Sequence, residues 1–287
     1  MESQSLVPIL AGGGTRLPAH IGILTALEEM NMSIDHIVGV SGGSIISSLY
    51  ASGMQIDEIK KASIDVDFNQ FTGYSLLSLI REGGLCNGNK FEAWLDEMLQ
   101  GKTFAELDKR LHVVATDVRQ SKPVIFDKEH TPDLKVSKAV RFSMSIPLLF
   151  SFKAYGKRLM VDGSILSEDA LHRDWIGDGT PVLCFRLRGE YEHDEIRPSG
   201  LFPVTDYVTL LIRTFLTTIS REYINNNYWH STLVVNTGES SPVQFNLTDS
   251  QKAQLFDAGY KTTIDVLPQK LSQLNRDRSN QSNKWLY

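Results

Sequence analysis

Apolar residues along the chain follow two alternating patterns: short runs rich in β-branched residues, and longer stretches in which they recur at helical spacing. The first pattern predicts strands and the second predicts helices. The predicted strands cover residues 7–10, 36–40, 111–116, 123–126, 158–161, 182–187 and 232–235. The predicted helices cover residues 20–30, 56–62, 91–99, 136–141, 204–225 and 250–267. This alternation predicts an α/β fold, a three-layer α/β/α arrangement with a mainly parallel central sheet.

The chain shows no internal repeat and no dividing linker, so residues 1–271 are expected to form a single domain. The tail, residues 272–287, is rich in Ser, Asn, Gln, Arg and Asp, a composition typical of a frayed segment. Its last residues, 284–287, are more apolar and are predicted to dock on the core or on a membrane. Residues 68–80 combine aromatic residues with an apolar run, which predicts a helix covering the sheet or, as the less favoured alternative, a lid that contacts lipid.

Composition narrows the classes of protein to which this chain can belong. It has 287 residues, 41% of them hydrophobic, and can bury a large core, yet no window holds the roughly 18 consecutive apolar residues of a membrane span. No secretion signal is visible at the N-terminus and only Cys86 and Cys184 occur, so we expect a cytoplasmic protein with reduced thiols. The net charge of −5 argues against a binder of nucleic-acid polymers. No Cys/His cluster has metal-ligand spacing, so no metal site is expected.

The most informative short motif is Gly39-Val40-Ser41-Gly42-Gly43, which directly follows an apolar run and precedes the helical stretch at residues 44–50. Strand, tight turn and helix in this order indicate a nucleophile elbow, in which a serine takes a strained conformation and exposes its hydroxyl. The flanking glycines are expected because a side chain there would collide with the neighbouring strand or helix. Ser41 is therefore the candidate nucleophile.

A glycine-rich loop lies just upstream, between the first predicted strand and helix. Its residues are Gly12, Gly13, Gly14, Thr15 and Arg16. Backbone amides in such a loop, with the N-terminus of the following helix, can donate hydrogen bonds to a developing oxyanion. A nucleotide-binding loop is the alternative, but it lacks the Lys-Ser/Thr of a P-loop, and Leu17 stands where a dinucleotide fingerprint needs its last glycine. We therefore interpret the loop as a candidate oxyanion hole.

With a third motif, Asp162-Gly163-Ser164, the sequence resembles the patatin-like phospholipases. A fourth stretch, residues 139–150, resembles that family's helix followed by Ser-x-Ser-Ile-Pro, and the resemblance runs from about residue 7 to residue 166. It implies a bacterial, single-domain member with a patatin-like catalytic domain over residues 1–271. Two positions depart from the family pattern: Leu17-Pro18 replaces the glycine that normally follows the loop arginine, and Ser164 stands where glycine or alanine is common. Proline has no N–H to donate, so Pro18 affects which amides could form the hole.

The resemblance implies a Ser41–Asp162 dyad without a catalytic histidine and without a cofactor. Ser41 would attack the ester carbonyl, Asp162 would accept its proton, and water would release the fatty acid from an acyl-enzyme. The alternative is a Ser-Asp-His triad, which His172, His193 or His230 could complete. An elbow on only the second strand favours the dyad. A carboxylate base should give an acid limb in the pH profile below that of histidine, unless apolar burial raises its pKa.

Two site residues also have simpler interpretations. Asp162 with Gly163 after an apolar run is typical of a hairpin turn. Arg16 is either a solvated residue at a helix start or a cation that favours an anionic head group or the oxyanion itself. The elbow and turn residues Gly39, Gly42, Gly43, Gly163 and Ser164 are expected to support the site without reacting.

The function that follows from the resemblance is hydrolysis of carboxyl esters in phospholipids or lysophospholipids, with peripheral contact to the membrane. The alternatives are a soluble carboxylesterase or thioesterase of the same fold, and a non-catalytic lipid-binding protein. Some compact bacterial members of this family act in antiphage defence and are switched on by a cyclic nucleotide. Arginines between the motifs and the C-terminus are candidate contacts for such an anionic activator, with scattered surface arginines as the simpler interpretation: Arg186, Arg188, Arg197, Arg213 and Arg221.

Overall fold

The computed structural model describes residues 4–71, 73, 75–189, 207, 210–211, 214 and 228–283. The strands are β1 Gln4–Ser5, β2 Val7–Ala11, β3 Met32–Ser33, β4 His36–Val40, β5 Gly84–Cys86, β6 Arg110–Asp117, β7 Lys122–Phe126, β8 Leu148–Phe150, β9 Lys153–Tyr155, β10 Arg158–Val161, β11 Val182–Arg188 and β12 Thr232–Asn236. The helices are α1 Leu17–Glu29, α2 Gly42–Ala51, α3 Ile56–Asp65, α4 Leu76–Glu82, α5 Asn89–Met98, α6 Val136–Ser143, α7 Glu168–Leu171 and α8 Asp249–Asn283.

Within the described residues, an eight-stranded sheet forms the centre of the molecule, in the order β12-β11-β2-β4-β6-β10-β9, with β7 also paired to β6. The five strands from β12 to β6 are parallel, and β7, β9 and β10 add antiparallel pairs at the other end. Helices flank the sheet, so the predicted α/β architecture with a mainly parallel sheet is confirmed. In parallel strands the carboxyl ends share one edge, and ligands bind at that edge.

Both faces of the central strands are buried, which explains their nearly continuous apolar sequences. In β2, Leu10 faces the large core built with α1, α2, α6 and α8, whereas Val7 and Ile9 face a smaller core that contains Leu171 and Trp175. Alternate residues of one strand therefore stabilise two different layers. The strands that carry the site are fixed from both sides.

Some element boundaries differ from those predicted. Helix α1 begins at Leu17, three residues earlier than predicted, because Pro18 is tolerated in the first turn of a helix, where its missing N–H is not needed. Helix α8 contains Pro268 and continues through the polar segment to Asn283, beyond its predicted end. Its inward residues Leu267 and Leu271 are buried in the large core, and this packing extends the helix beyond the apolar pattern.

Residues 68–80, predicted as a covering helix or a lid, have a buried part and an exposed apolar part. Phe71 is buried against Phe91 and Trp94, as expected of a core cover. Helix α4, in contrast, exposes Leu77 and Ile80. The predicted helix at 204–225 lies outside the described residues except for residues 207, 210–211 and 214, which are helical, and residues 284–287 lie outside them as well. No helix in the described part of the chain is long and apolar enough to cross a membrane.

Candidate active site

Two strands approach each other end to end along one edge of β6. Strand β4 pairs with β6 as far as Val40, which lies opposite Val114. Strand β10 runs antiparallel to β6 and ends with Val161 opposite Thr116. Strand β7 pairs with the same stretch of β6, so β7 occupies the opposite edge and β10 shares the edge of β4. The residues that follow β4 and β10 must therefore meet.

Those residues are Ser41 and Asp162, and they are hydrogen bonded. The Ser41 Oγ donates to Asp162 Oδ2 across 2.7 Å, a short distance that is typical of a hydroxyl bound to a carboxylate. Both side chains are buried, with exposures of 3% and 1%. The structure thus brings together two residues that are 121 positions apart in the sequence.

Ser41 has the backbone conformation of an elbow. Its φ of 52° and ψ of −130° lie in a region that serine rarely adopts, and helix α2 begins immediately after it. The strained turn is held by Ser143, whose Oγ accepts the Ser41 N–H at 2.8 Å and donates to the Val114 carbonyl. The predicted supporting glycines are all in close contact with neighbouring backbone, which an added Cβ would overlap: Gly39, Gly42, Gly43 and Gly163.

Asp162 is held as an acceptor in an apolar setting. Its Oδ1 accepts the backbone N–H of Ser164 at 2.8 Å, and its own N–H donates to the Ser145 carbonyl. Burial raises the pKa of Asp162 from its ordinary value to about 6, although the hydrogen bonds from Ser41 and Ser164 act in the opposite direction. This value is close to the ordinary histidine pKa of about 6.5. The expected exception therefore applies: apolar burial raises the pKa of Asp162, so an acid limb in the pH profile would not distinguish this carboxylate from a histidine base.

No histidine in the described part of the chain is hydrogen bonded to Ser41 or Asp162. His172 contacts the Ser231 hydroxyl and stacks on the ring of Tyr228. His230 lies in the short 3-10 helix before β12, and His193 lies outside the described residues. The triad that the sequence leaves open has no support from these contacts.

The glycine loop runs beside the elbow with three successive residues at positive φ: Gly12, Gly13 and Gly14. The N–H of Gly12 donates to Val40, that of Thr15 to Pro242, and that of Arg16 to the loop's own Gly13 carbonyl. Among the hydrogen bonds of the described residues, the N–H groups of Gly13, Gly14 and Gly42 have no acceptor. Of the five loop residues expected to form the oxyanion hole, two therefore have a backbone N–H that could bind an oxyanion, Gly13 and Gly14. Gly42, in the elbow, adds a third such N–H.

Arg16 is buried, so the interpretation of it as a solvated residue at a helix start needs correction. Its guanidinium is 1% exposed and donates to the carbonyls of Gly13 and Leu187 and to the hydroxyl of Thr237. These contacts join the glycine loop to the ends of β11 and β12. Arg16 directly precedes α1, which begins at Leu17, and is its N-cap residue.

His20 is a supporting residue that the sequence analysis gave no role. Burial lowers the pKa of His20 to about 4, so the ring is neutral and its Nε2 can donate to the Gly12 carbonyl at 3.0 Å. The Gly43 N–H donates to the same carbonyl, which links the loop to the elbow. The only sign of His20 in the sequence is a polar residue between Ala19 and Ile21, in the apolar first half of α1.

Arg141 connects the site to the outer strands. Its Nη1 donates to the Ser145 hydroxyl and its Nη2 to the carbonyls of Asn87 and Ser151. Burial lowers the pKa of Arg141 to about 10, so it stays charged at neutral pH. Residues 139–150 had been singled out as a segment, and the structure gives Arg141 a positioning role within it.

An apolar cavity of about 20 Å³ opens next to the pair. Met144 lies in its wall, and its Sδ is 4.0 Å from the Ser41 Oγ. Gly14, from the glycine loop, lies in the same wall, so the cavity borders both the loop and the side chain that contacts Ser41. The other lining side chains are mainly aromatic and aliphatic: Ile45, Phe68, Phe71, Phe91, Ile146, Leu149, Phe150 and Phe245.

A glycine-rich loop beside a serine on a strand-to-helix elbow is an arrangement found in acyl hydrolases with an α/β fold. The sequence profile of the patatin-like phospholipases matches residues 9–172, more than half of the chain, and the chain belongs to this family. The match includes the glycine loop, Ser41 and Asp162.

Individual relatives agree with this assignment. Protein R571 of Acanthamoeba polyphaga mimivirus is 29% identical over 91% of this chain and 93% of its own length. An NTE family protein of Mycobacterium tuberculosis is 29% identical over 76% of this chain, but only 36% of its own length. The probable lipid hydrolase 463L of Invertebrate iridescent virus 6 is 25% identical over 55% of this chain and 59% of its own length. The chain is thus similar to viral and bacterial proteins of different lengths.

A solved structure supports the fold. VipD from Legionella pneumophila superposes with a TM-score of 0.69 over 94% of this chain and 67% of its own, at 16% identity. At that identity the likeness concerns architecture alone.

The raised pKa of Asp162 predicts a stability penalty that depends on pH. A carboxyl whose pKa is raised on folding from 3.8 to about 6 contributes most to stability below pH 3.8, and this contribution is lost as pH rises through 6. At about 1.4 kcal/mol per unit, the loss approaches about 3 kcal/mol. Asp162→Asn should therefore gain stability over wild type between about pH 4 and pH 7.5, as urea unfolding at both pH values would measure.

Exposed Asp265 on α8 offers a matched control, and Asp265→Asn should show no such pH-dependent gain. If the difference between Asp162→Asn and wild type is the same at both pH values, the carboxyl is not destabilised by burial.

Proposed function

We propose that this protein is a lipid acyl hydrolase that cleaves carboxyl esters of phospholipids or lysophospholipids through Ser41 and Asp162. The observation that carries the proposal is the buried 2.7 Å hydrogen bond from the Ser41 hydroxyl to the Asp162 carboxylate. Membership of the patatin-like phospholipases and similarity to a probable lipid hydrolase support the substrate class.

In the proposed reaction, Ser41 Oγ attacks the ester carbonyl while its proton moves to Asp162 Oδ2. The N–H groups of Gly13, Gly14 and Gly42 stabilise the oxyanion that forms. Asp162 then protonates the leaving alcohol, and an acyl group remains on Ser41. Water attacks the acyl-enzyme and gives a proton to Asp162, which returns it to Ser41 Oγ as the acyl–oxygen bond breaks and the fatty acid leaves. A base with a pKa of about 6 is ionised at neutral pH yet stronger than an ordinary carboxylate, which suits both proton transfers.

The surroundings of the pair favour a substrate with an acyl chain. The apolar cavity beside Ser41 offers a hydrophobic path, but its volume of about 20 Å³ cannot hold such a chain unless the aromatic wall moves. Phe68 and Phe71 belong to the short segment just before α4, which exposes Leu77 and Ile80. We infer that contact of α4 with a lipid surface accompanies opening of this wall.

The proposal is distinguishable from two alternatives. A carboxylesterase or thioesterase of the same fold would hydrolyse monomeric esters no more slowly than esters in micelles or bilayers. A non-catalytic lipid-binding protein would not react with a fluorophosphonate at Ser41. Activation by a cyclic nucleotide and a role in antiphage defence stay predictions. Of the five candidate arginines only Arg186 and Arg188 have described side chains, and Arg197, Arg213 and Arg221 lie outside them.

Substitutions should separate the dyad from a triad. Ser41→Ala and Asp162→Asn should each lower turnover about a thousandfold or more, because the first lacks the nucleophile and the second a proton acceptor. His172→Gln, His193→Gln and His230→Gln should each stay within about tenfold of wild type. Mass spectrometry of phospholipids after incubation with each variant provides the measurement. A histidine variant as inactive as Ser41→Ala would establish a triad instead.

The oxyanion donors can be tested with two neighbouring glycines. Gly13→Ala should raise the barrier of the chemical step by about 2–4 kcal/mol, because its Cβ would lie 2.9 Å from His20 Nε2 and from Leu187 Cδ1 and displace the donor. Gly12→Ala is the matched control: its φ is also positive, but its Cβ would meet nothing closer than Ser164 Oγ at 4.0 Å. Equal single-turnover rates for the two variants would locate the hole elsewhere.

A further inference from the structure

A second cavity, of about 40 Å³, is lined by other residues of the glycine loop than the apolar cavity. Gly12 and Gly13 form one wall, and Ser164 and Ser167, from the turn after Asp162, form another. Its volume gives room for a few water molecules, which is the scale of one phosphoryl group and far below that of a nucleotide.

Two arginines of β11 line this cavity, Arg186 and Arg188. They are two residues apart on one strand, so their side chains leave the sheet on the same face. Arg186 pairs with Ala11 of β2 and with Val234 of β12, and both of these residues also line the cavity. The sheet register therefore places both arginines at the carboxyl edge, where the glycine loop begins.

The chemistry of the lining is that of an anion site. It combines two arginines and two serines with residues of the glycine loop, and none of the described residues that line it is acidic. Arginine suits phosphate in particular, because its planar fork can form two parallel hydrogen bonds with phosphate oxygens. Arg16, the arginine closest in sequence to the oxyanion loop, is buried against backbone carbonyls and Thr237 and does not line this cavity.

We propose that the cavity formed by Arg186, Arg188, Ser164 and the glycine loop binds a phosphoryl group. The ligand is either the head-group phosphate of the lipid substrate, a form that rests on the proposed function, or a free phosphate compound. Val40, which directly precedes Ser41, also lines the cavity, and Ser164 donates its N–H to Asp162. A phosphate held here would lie beside the reacting ester, as the short glycerol unit of a phospholipid requires.

Two substrates with the same acyl ester test this site: 1-palmitoyl lysophosphatidic acid and 1-palmitoylglycerol, in the same detergent micelles. Wild type should have the higher kcat/KM for the phosphorylated substrate. Replacing both arginines, Arg186→Gln with Arg188→Gln, should lower the ratio of the two kcat/KM values at least about tenfold, because charge-assisted hydrogen bonds to phosphate are lost. Arg188→Lys should retain part of the ratio, since it keeps the charge without the fork. Exposed Arg158 on β10 is the control, and Arg158→Gln should keep the full ratio.

Binding independent of turnover is measured by calorimetric titration of Ser41→Ala protein, with and without the two arginine substitutions, using glycerol 3-phosphate and inorganic phosphate. A substrate ratio that falls with the arginines assigns the site to the head group. If the double substitution leaves the kcat/KM ratio unchanged but removes phosphate binding in the calorimeter, the site binds a free phosphate compound.

The phosphate site is overturned if the double substitution changes neither the ratio nor the binding, or if the parent protein shows neither preference nor binding. Arginine-dependent phosphate binding without hydrolysis of either ester would instead refute the proposed function and leave the phosphate site standing.

Discussion

The site depends on one topological constraint, the end-to-end approach of β4 and β10 along a single edge of β6. Val40 pairs with Val114 and Val161 pairs with Thr116, and these two β6 residues are only two positions apart. The next residues of the two strands, Ser41 and Asp162, are therefore brought next to each other. The same constraint buries a carboxylate between apolar strands, which raises its pKa to about 6. Such a residue weakens the fold at neutral pH, a cost that proteins accept at functional sites.

The rest of the site is arranged around that pair by hydrogen bonds to backbone. Ser143 fixes the strained amide of Ser41, and neutral His20 holds the Gly12 carbonyl. Arg16 joins the loop to the ends of β11 and β12 by hydrogen bonds, close to the cavity that Arg186 and Arg188 line. The ends of neighbouring strands therefore supply the Ser41–Asp162 pair, an apolar cavity and the cavity proposed to bind phosphate.

Local sequence predicted the parts of the site that depend on local conformation. The strand before Ser41, the glycines around it and the turn at Asp162 each have a backbone requirement that is visible in a few residues. Their meeting depends on which edge of β6 each strand occupies, and the sequence carries no local signal for that. The roles of Arg16 and His20 were missed for the same reason, since their partners are carbonyls whose positions only the folded chain defines. Arg197, Arg213 and Arg221 follow β11 and their side chains lie outside the described residues, so their contacts with an anionic activator stay predictions.

The most direct test of the central claim, that buried Asp162 activates Ser41, is the pH dependence of the rate at which a fluorophosphonate labels Ser41. The labelling rate should rise with pH to a plateau with a midpoint near 6, the pKa of Asp162, and Asp162→Asn should label very slowly at every pH. Labelling of Asp162→Asn at the wild-type rate, with the same midpoint, would contradict the account.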